Sequence, residues 1–156
     1  MDNGLHFRPA TAQDFAAVLD LATQLARHIE AAPPPLTFGQ FEARYLGTDP
    51  RMHLLLAVKD GHVAGLVSWI LTHELYSGEA RVYISDLAVD GAARGQGIGT
   101  ALLAEVKAWA RRHGAAKLGW EVWRRNASAK AFYAGQGAEA DNEAIPYVLT
   151  LNETQS

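Results

Sequence analysis

The segment ARGQGIGT, residues 93–100, has glycine at every second position from Gly95 to Gly99 and an arginine, Arg94, directly before them. Glycines ahead of a helix keep side chains away from backbone N–H groups, and the unpaired N–H groups of a helix N-terminus attract anions. An apolar-periodic segment starts at Ile98, so a helix is predicted to begin within the run. On spacing alone two interpretations stay open: a phosphate-binding loop, or a tight turn without a ligand.

Two widespread phosphate-binding loops do not fit this spacing. The dinucleotide fingerprint GxGxxG, started at Gly95, needs a glycine where the chain has Thr100. The loop GxxxxGKS or GxxxxGKT of nucleoside triphosphatases needs a lysine directly after its last glycine, and none of these glycines is directly followed by a lysine. The spacing therefore disfavours an unrelated nucleotide-binding fold.

Periodicity and turn residues predict the elements around the loop. A capping box at Thr11–Asp14 precedes the first helix, and Asp60-Gly61 indicates a hairpin. The predicted strands are His6–Pro9, Met52–Val58, His62–Leu71, Arg81–Val89, Lys117–Trp123 and Ile145–Leu151. The predicted helices are Phe15–Leu25, Phe38–Leu46, a long one from Ile98 to the cap at Gly114, and Ser128–Gln136. This order predicts an α/β or α+β fold with a mixed sheet.

Composition bounds the class of protein. The 156 residues, of which 49% are hydrophobic and 20% charged, predict one domain spanning residues 1–156. The absence of cysteine excludes disulfides, thiolate metal sites and cysteine nucleophiles. The six histidines have no metal-binding spacing, so no metal is expected. A net charge of -3 with scattered basic residues disfavours nucleic acid, and without a leader or a long apolar run we expect a cytoplasmic protein with no membrane partner.

The glycine run also fits a third pattern: Arg or Gln, two residues, Gly, one residue, then Gly or Ala. Arg94, Gly97 and Gly99 occupy its fixed positions. This is the signature of the GNAT superfamily of N-acetyltransferases, and the chain resembles that family on both sides of the loop. The similar segments are FRPATAQDFAAVLDL, YISDLAVDGAARGQGIG and the stretch GTALLAEVKAWARRHGAAKLGWEVWRRNASAKAFYAGQGAE.

The resemblance implies a fold and a reaction. It implies a mixed sheet of about six to seven strands with about four helices, in which the parallel strands 81–89 and 117–123 splay apart and the first carries a bulge. It also implies direct transfer of an acetyl group from acetyl-coenzyme A (acetyl-CoA) to an amine, with no covalent enzyme intermediate. Acetyl-CoA is the expected co-substrate, and a homodimer is the expected assembly.

The resemblance further implies where acetyl-CoA binds. The backbone of the central strand would pair with the pantetheine arm, and one of its N–H groups would face the thioester oxygen. The pyrophosphate would lie on loop and helix N–H groups, with an arginine nearby, while Asn126 would cap the last helix or contact pantetheine. The residues expected to bind acetyl-CoA are Leu87, Ala88, Val89, Arg94, Gly95, Gln96, Gly97, Ile98, Gly99, Thr100 and Asn126.

Two catalytic roles follow from the resemblance. Tyr133 occupies the general-acid position, and proton transfer from a tyrosine to a thiolate is uphill by about 2 kcal/mol before any effect of the site. An alkylammonium group, with a pKa of about 10.4, must lose a proton before it attacks. Where relatives carry a glutamate before an aspartate, this chain has Ser85 and Asp86. Asp86 is then the expected base, directly or through water, with Glu74 and Glu121 as alternatives.

The acceptor is open at this stage. The details of the pattern most resemble the diamine and polyamine acetyltransferases, so a small-molecule primary amine is the first hypothesis. A peptide or protein amine, an aminoglycoside and an amino acid are alternatives. Another is a sensor that binds acyl-CoA without catalysis, suggested by the missing glutamate; a tyrosine at the acid position argues against it.

Overall fold

A computed structural model gives the structure of the protein and describes residues 4–151. Two compact units follow one another along the chain, with the boundary between Trp123 and Arg124. Among the described residues, the first unit contains one mixed sheet and three α-helices, and the second contains one α-helix. Within residues 4–151, no helix is both long and apolar enough to cross a membrane.

The sheet of the first unit has five strands in sequence order. The first four pair antiparallel and the last two pair parallel. Its strands are β1 (Leu5–Pro9), β2 (His53–Lys59), β3 (His62–His73), β4 (Ala80–Val89) and β5 (Ala115–Gly119). The helices are α1 (Phe15–His28), α2 (Phe38–Tyr45) and α3 (Ile98–Arg112).

The hairpin predicted at Asp60-Gly61 is confirmed. It joins β2 to β3, and both of its residues have positive φ, 50° for Asp60 and 80° for Gly61. Positive φ at both central residues gives the turn a twist that matches that of the flanking strands. The mixed α/β sheet and the positions of all three helices in this unit are confirmed as well.

Two predictions about strands are wrong. The sheet has five strands rather than six or seven, and Ile145–Leu151 is not a strand in the described part of the chain. Its apolar residues are largely exposed, 83% for Leu149 and 87% for Leu151. An apolar pattern is not sufficient, because a strand forms only when its backbone groups pair with a neighbour. The strand predicted at Lys117–Trp123 begins two residues earlier, at Ala115, and ends four residues earlier, at Gly119.

The second unit contains α4 (Ala127–Gly135), which confirms the predicted short helix. Asn126 is its N-cap, and the Asn126 side-chain oxygen accepts hydrogen bonds from the Ala129 N–H and the Ser128 hydroxyl, both at 3.1 Å. Gly137 follows the helix with φ of 83°, in the left-handed conformation that favours glycine. Of the two roles that the sequence left open for Asn126, the structure thus shows the cap.

The sheet packs a separate apolar layer on each face. One layer contains the inner side of α3, with Leu102, Leu103 and Val106 fully buried against β3 and β4. The other contains α1 and α2, centred on the fully buried Phe41. Which face a strand residue occupies therefore decides which helices it meets.

Gly65 of β3 lies where α3 approaches the sheet most closely. A Cβ atom there would lie 3.0 Å from the Ala88 carbonyl oxygen and 3.1 Å from side-chain atoms of both Ile98 and Leu102. These distances are shorter than ordinary van der Waals contact, and one of the neighbours is backbone. The N-terminal turn of α3 can therefore lie this close to β3 only because position 65 has no side chain.

Replacing Gly65 with alanine should push the start of α3 away from the sheet. We expect Gly65→Ala to lower the free energy of unfolding by roughly 1 to 3 kcal/mol, the usual cost of overpacking a core. Urea denaturation of Gly65→Ala and of Gly39→Ala, a helical position with open space around it, measures the difference. Equal stability of the two variants would contradict the close approach.

The turn from β1 into α1 is fixed by a buried carboxylate. Asp14 accepts hydrogen bonds from Arg8 at 2.7 and 2.9 Å, and from the Thr11 N–H at 2.7 Å and its hydroxyl at 3.0 Å. The Thr11–Asp14 contact confirms the predicted cap. The hydrogen bonds from Arg8, opposed by burial and assisted by Thr11, lower the pKa of Asp14 from 3.8 to about 2. Folding therefore favours the ionised carboxylate.

Asp14→Asn should destabilise the protein in a pH-dependent way. Because the pKa of Asp14 is lower in the folded chain, its contribution is complete above pH 4 and disappears as the pH falls toward 2. At pH 7 we expect a loss of roughly 1 to 2 kcal/mol, reduced from the full linkage value because Arg8 is partly exposed. Denaturation of the protein and of Asp14→Asn from pH 2 to 7 tests this, with Asp20→Asn as the exposed control. A loss that stays constant across this range would overturn the assignment.

Candidate active site

A β-bulge in β4 decides where the candidate site lies. In the β3–β4 ladder, Ser68 pairs with Asp86 but Trp69 pairs with Ile84, so Ser85 is an extra residue without a partner across the ladder. The family resemblance predicted a bulge in this strand, and the structure has one. Ile84 belongs to the layer against α3, whereas Asp86 and Ala88 face the side of α1 and α2. Because side chains alternate between faces, the extra residue is what turns Asp86 away from the α3 layer.

Asp86 lies in the wall of a cavity of about 380 Å³ on the α1 and α2 side of the sheet. The sheet supplies the cavity floor, and α1, α2 and the proline-rich loop between them supply its sides. The residues that line it are Val18, Ala22, Leu25, Pro34, Pro35, Leu36, Gln40, Arg44, Tyr45, Leu54, Leu66, Ser68, Asp86 and Ala88. Most are apolar, and the few polar groups come from α2 and from the two central strands. Such a lining is typical of a small-molecule site.

The carboxylate of Asp86 is positioned by a neighbouring strand. The Ser68 hydroxyl, which is 1% exposed, donates a hydrogen bond of 2.9 Å to it. In the described part of the chain no cation forms an ion pair with Asp86. The carboxylate is therefore held in the cavity wall with its charge uncompensated, which is an arrangement suited to an ammonium group.

The pKa of Tyr45 is affected by both charged groups of the cavity, Asp86 and Arg44. Burial and the charge of Asp86 raise the pKa of the Tyr45 hydroxyl, while the charge of Arg44 opposes that rise. The hydroxyl is therefore protonated at neutral pH and available as a hydrogen-bond donor in the cavity wall.

The central strands separate next to this cavity. The parallel pairing of β4 with β5 runs from Ala80 to Tyr83 and ends there, while β4 continues to Val89. Residues Leu87, Ala88 and Val89 thus lie beyond the paired segment, on a strand whose far edge is not covered by β5. An open edge of this kind offers backbone groups to an extended ligand.

The glycine loop connects this open strand to α3. Gly95 and Gly97 have φ of 76° and 78°, and Gly97 is the residue from which α3 begins. Left-handed backbone at both positions explains two of the three glycines. The amide groups at the start of α3, from Ile98 onward, then face out of the helix end where an anion could bind. Arg94 and Gln96 are exposed beside them, and Lys59 donates a hydrogen bond to the Gln96 side chain.

The start of the loop is tied to α1 by a single side chain. The amide of Gln24 donates to the Asp90 carboxylate at 3.0 Å and accepts from the Gly91 N–H at 3.0 Å. The Asp90 N–H in turn donates to the Ala64 carbonyl at 2.8 Å. These bonds fix the exit of β4 and so the path of the glycine loop.

The other predicted catalytic residues belong to other elements of the chain. Tyr133 is a half-buried residue of α4 in the second unit, and burial raises its pKa. Glu74 lies in the β3–β4 turn, where it accepts a hydrogen bond of 3.0 Å from Ser77. Glu121 follows β5, where its charge contributes, after burial, to a raised pKa of Tyr83. Neither glutamate lines the cavity that contains Asp86. Among residues 4–151, no group of three or more His, Cys, Asp or Glu side chains could hold a metal ion.

Sequence reasoning did not identify the partners of Asp86. Ser68 interrupts the apolar run VAGLVSWIL with a hydroxyl, and this could have marked it as a residue with a buried partner. Gln40 and Arg44 are spaced i, i+4 on the predicted helix, which places them on one face. This face borders the cavity because of the way α2 packs, and no local sequence pattern predicts that packing.

The chain is similar to several known proteins. It is 31% identical over 134 residues to an aminoalkylphosphonate N-acetyltransferase of Salmonella typhimurium, a match that covers 83% of this chain and 82% of that protein. The structure of a mutant of the BH1408 protein from Bacillus halodurans has a TM-score of 0.78 at 26% identity, covering 93% and 99% of the two chains. An aminoglycoside acetyltransferase from an uncultured soil metagenomic sample, solved with sisomicin, has a TM-score of 0.78 at 18% identity, covering 97% and 99%.

The family match covers the cavity, the open strand and the glycine loop together. Residues 16–138 fit the sequence model of the acetyltransferase (GNAT) family, a span that runs from α1 to the end of α4. Members of this family are N-acetyltransferases that use acetyl-CoA. The chain therefore belongs to the GNAT family of acetyltransferases.

Proposed function

We propose that this protein transfers the acetyl group of acetyl-CoA directly to the primary amine of a small molecule bound in the cavity beside Asp86. The observation that carries this proposal is the carboxylate of Asp86, without an ion pair in the described part of the chain, in a largely apolar cavity and on the same strand as the open segment Leu87–Val89. A cavity of about 380 Å³ supports a small-molecule acceptor over a protein side chain.

On the acceptor side, Asp86 would bind the ammonium form of the amine and take its proton, directly or through one water molecule. The hydrogen bond from Ser68 fixes the orientation of the carboxylate, so the amine nitrogen would be presented in one direction. The free amine then attacks the thioester carbon and forms the C–N bond. The C–S bond breaks as the tetrahedral intermediate collapses.

On the coenzyme side, the open segment of β4 would hold the pantetheine arm, and one N–H from Leu87 to Val89 would stabilise the developing oxyanion. The pyrophosphate would bind the amide groups of residues 96–100, where left-handed backbone at Gly95 and Gly97 supports the cradle. Arg94, which is exposed, would add positive charge nearby.

Tyr133 would donate the proton that the departing thiolate needs. Burial raises the pKa of its hydroxyl, which keeps this group protonated at neutral pH, as a general acid must be. In this scheme two protons leave the nitrogen, one from the ammonium group to Asp86 and one from the tetrahedral intermediate as the amide forms. The coenzyme sulfur gains one proton from Tyr133, which is reprotonated, and the other proton is released to solvent, so the reaction balances without a covalent enzyme intermediate.

Two classes of acceptor have support. The sequence resembles diamine and polyamine acetyltransferases at SDLAV and NASAKAFYAGQGA. The Salmonella relative is named for aminoalkylphosphonates, which also carry a primary amine. A homodimer stays a prediction from the resemblance, and a cytoplasmic location stays a prediction from the sequence.

The reaction is tested by following thiol release from acetyl-CoA with a panel of small amines, amino acids, aminoglycosides and peptides. We expect turnover of small primary amines and a fall in kcat of roughly a hundredfold in Tyr133→Phe, the usual size of a general-acid effect. Tyr147→Phe, at a position 90% exposed, is the matched control and should retain full activity. Binding of acetyl-CoA without turnover of any acceptor would favour the sensor alternative.

The base is tested by Asp86→Asn. We expect kcat/KM for the amine to fall by about ten- to a hundredfold at pH 7, and the deficit to shrink toward pH 10, where the free amine forms without help. Glu74→Gln and Glu121→Gln are the comparison variants, because neither residue lines the cavity. If one of these variants reproduces the pH-dependent loss and Asp86→Asn does not, the assignment to Asp86 is wrong.

A further inference from the structure

The cavity beside Asp86 has two formally charged side chains in its wall, and their charges are opposite. Asp86 comes from β4 at the floor, and Arg44 comes from the last turn of α2. The other lining residues are apolar or neutral. An acceptor that fills this cavity therefore meets one negative and one positive group.

The guanidinium of Arg44 has no hydrogen bond or ion pair within residues 4–151. Arg44 is an exposed residue of the cavity lining. Its five N–H donors in a planar fork match carboxylate, phosphate and phosphonate oxygens.

Gln40 lies one helical turn before Arg44 and also lines the cavity. Its side-chain oxygen accepts a hydrogen bond of 3.1 Å from the Thr37 N–H in the capping box of α2. Because the oxygen is occupied, the amide nitrogen of Gln40 is left as a donor. Arg44 presents only donors and the Gln40 amide nitrogen adds another, which is a pattern that suits an anion better than a second ammonium group.

The two charged groups act on a common neighbour. Asp86 raises the pKa of Tyr45 and Arg44 lowers it, so both lie within electrostatic range of one hydroxyl. Both charged groups also line the same cavity of about 380 Å³, so one small molecule bound there meets both of them.

We propose that the acceptor is a short primary amine that also carries an anionic group, with its ammonium end at Asp86 and its anionic end at Arg44 and Gln40. This inference rests on the proposed function and decides between the two classes of acceptor named there. A short diamine would place its second cation against Arg44, and repulsion between like charges would disfavour it.

The test uses acceptors that differ mainly in the charge at the far end: 3-aminopropanoate and 3-aminopropylphosphonate (anionic), 3-aminopropan-1-ol (neutral) and 1,3-diaminopropane (cationic). We expect kcat/KM to decrease from the anionic to the neutral to the cationic acceptor. Comparison of the carboxylate with the phosphonate shows which anion the site prefers. A preference for 1,3-diaminopropane would overturn the inference.

Arg44→Gln is the decisive variant. We expect the ratio of kcat/KM for the preferred anionic acceptor over 1,3-diaminopropane to fall about tenfold, because a charge-assisted hydrogen bond is lost. Arg44→Lys should recover part of that ratio. Arg27→Gln, an exposed arginine of α1 outside the cavity, should leave it unchanged. Thermal unfolding of each variant reports whether a loss reflects folding.

Binding to the protein saturated with coenzyme A separates this inference from the proposed function. Amine turnover with a ratio that Arg44→Gln does not change overturns the inference and leaves the function standing. Binding of the anionic amines that Arg44→Gln weakens, with no acetylation, supports the anion site and overturns the function. If neither turnover nor Arg44-dependent binding is observed, both are wrong.

Discussion

The single extra residue at Ser85 is the constraint on which the candidate site depends. Before it, alternate residues of β4 such as Val82 and Ile84 are buried against α3; after it, Asp86 and Ala88 face α1 and α2. Without the bulge, strict alternation would direct Asp86 into the apolar α3 layer, where an unpaired carboxylate is very costly. The bulge also lies just beyond Tyr83, where pairing with β5 ends. One local irregularity therefore both presents the carboxylate and accompanies the opening of the strand edge.

The sequence predicted well those elements whose structure is determined by residues close together in the chain. The hairpin follows from Asp60-Gly61, whose backbone only certain residues adopt, and α3 follows from an apolar stripe closed by Gly114. The strand predicted at Ile145–Leu151 failed because its formation depends on a pairing partner that composition cannot supply. The number of strands was wrong for the same reason. A bulge in β4 was expected from family resemblance alone, since the alternation of apolar residues does not mark Ser85 as the extra residue.

The candidate site likewise contains some residues that the sequence predicts and others that only long-range contacts bring together. The glycine loop is a contiguous motif, so its position and its left-handed backbone follow from the sequence. Asp86 and Tyr133 were identified by resemblance. Ser68 and Arg44 reach the cavity through the pairing of β3 with β4 and the packing of α2, which are contacts between residues far apart in the chain. Gln24 is a similar case, because it fixes the exit of β4 across 66 residues of sequence. Residues that position a site in this way become visible only when the fold is known.

The two charged groups of the cavity, Asp86 and Arg44, differ in their exposure to solvent, so they would hold the two ends of a ligand with different precision. Asp86 is half-buried and held by the fully buried Ser68, whereas Arg44 is exposed on α2. A half-buried carboxylate that is held by a hydrogen bond orients its partner more closely than an exposed guanidinium, which is screened by solvent and attracts charge with less constraint on position. An amine that bridges the two would therefore have its nitrogen fixed at β4 and its other end free to vary in size. Because Leu87–Val89 lie directly after Asp86, the fixed end is also the one nearest the proposed thioester site. Tight placement of the reacting nitrogen with a tolerant outer contact is the arrangement that direct acetyl transfer requires.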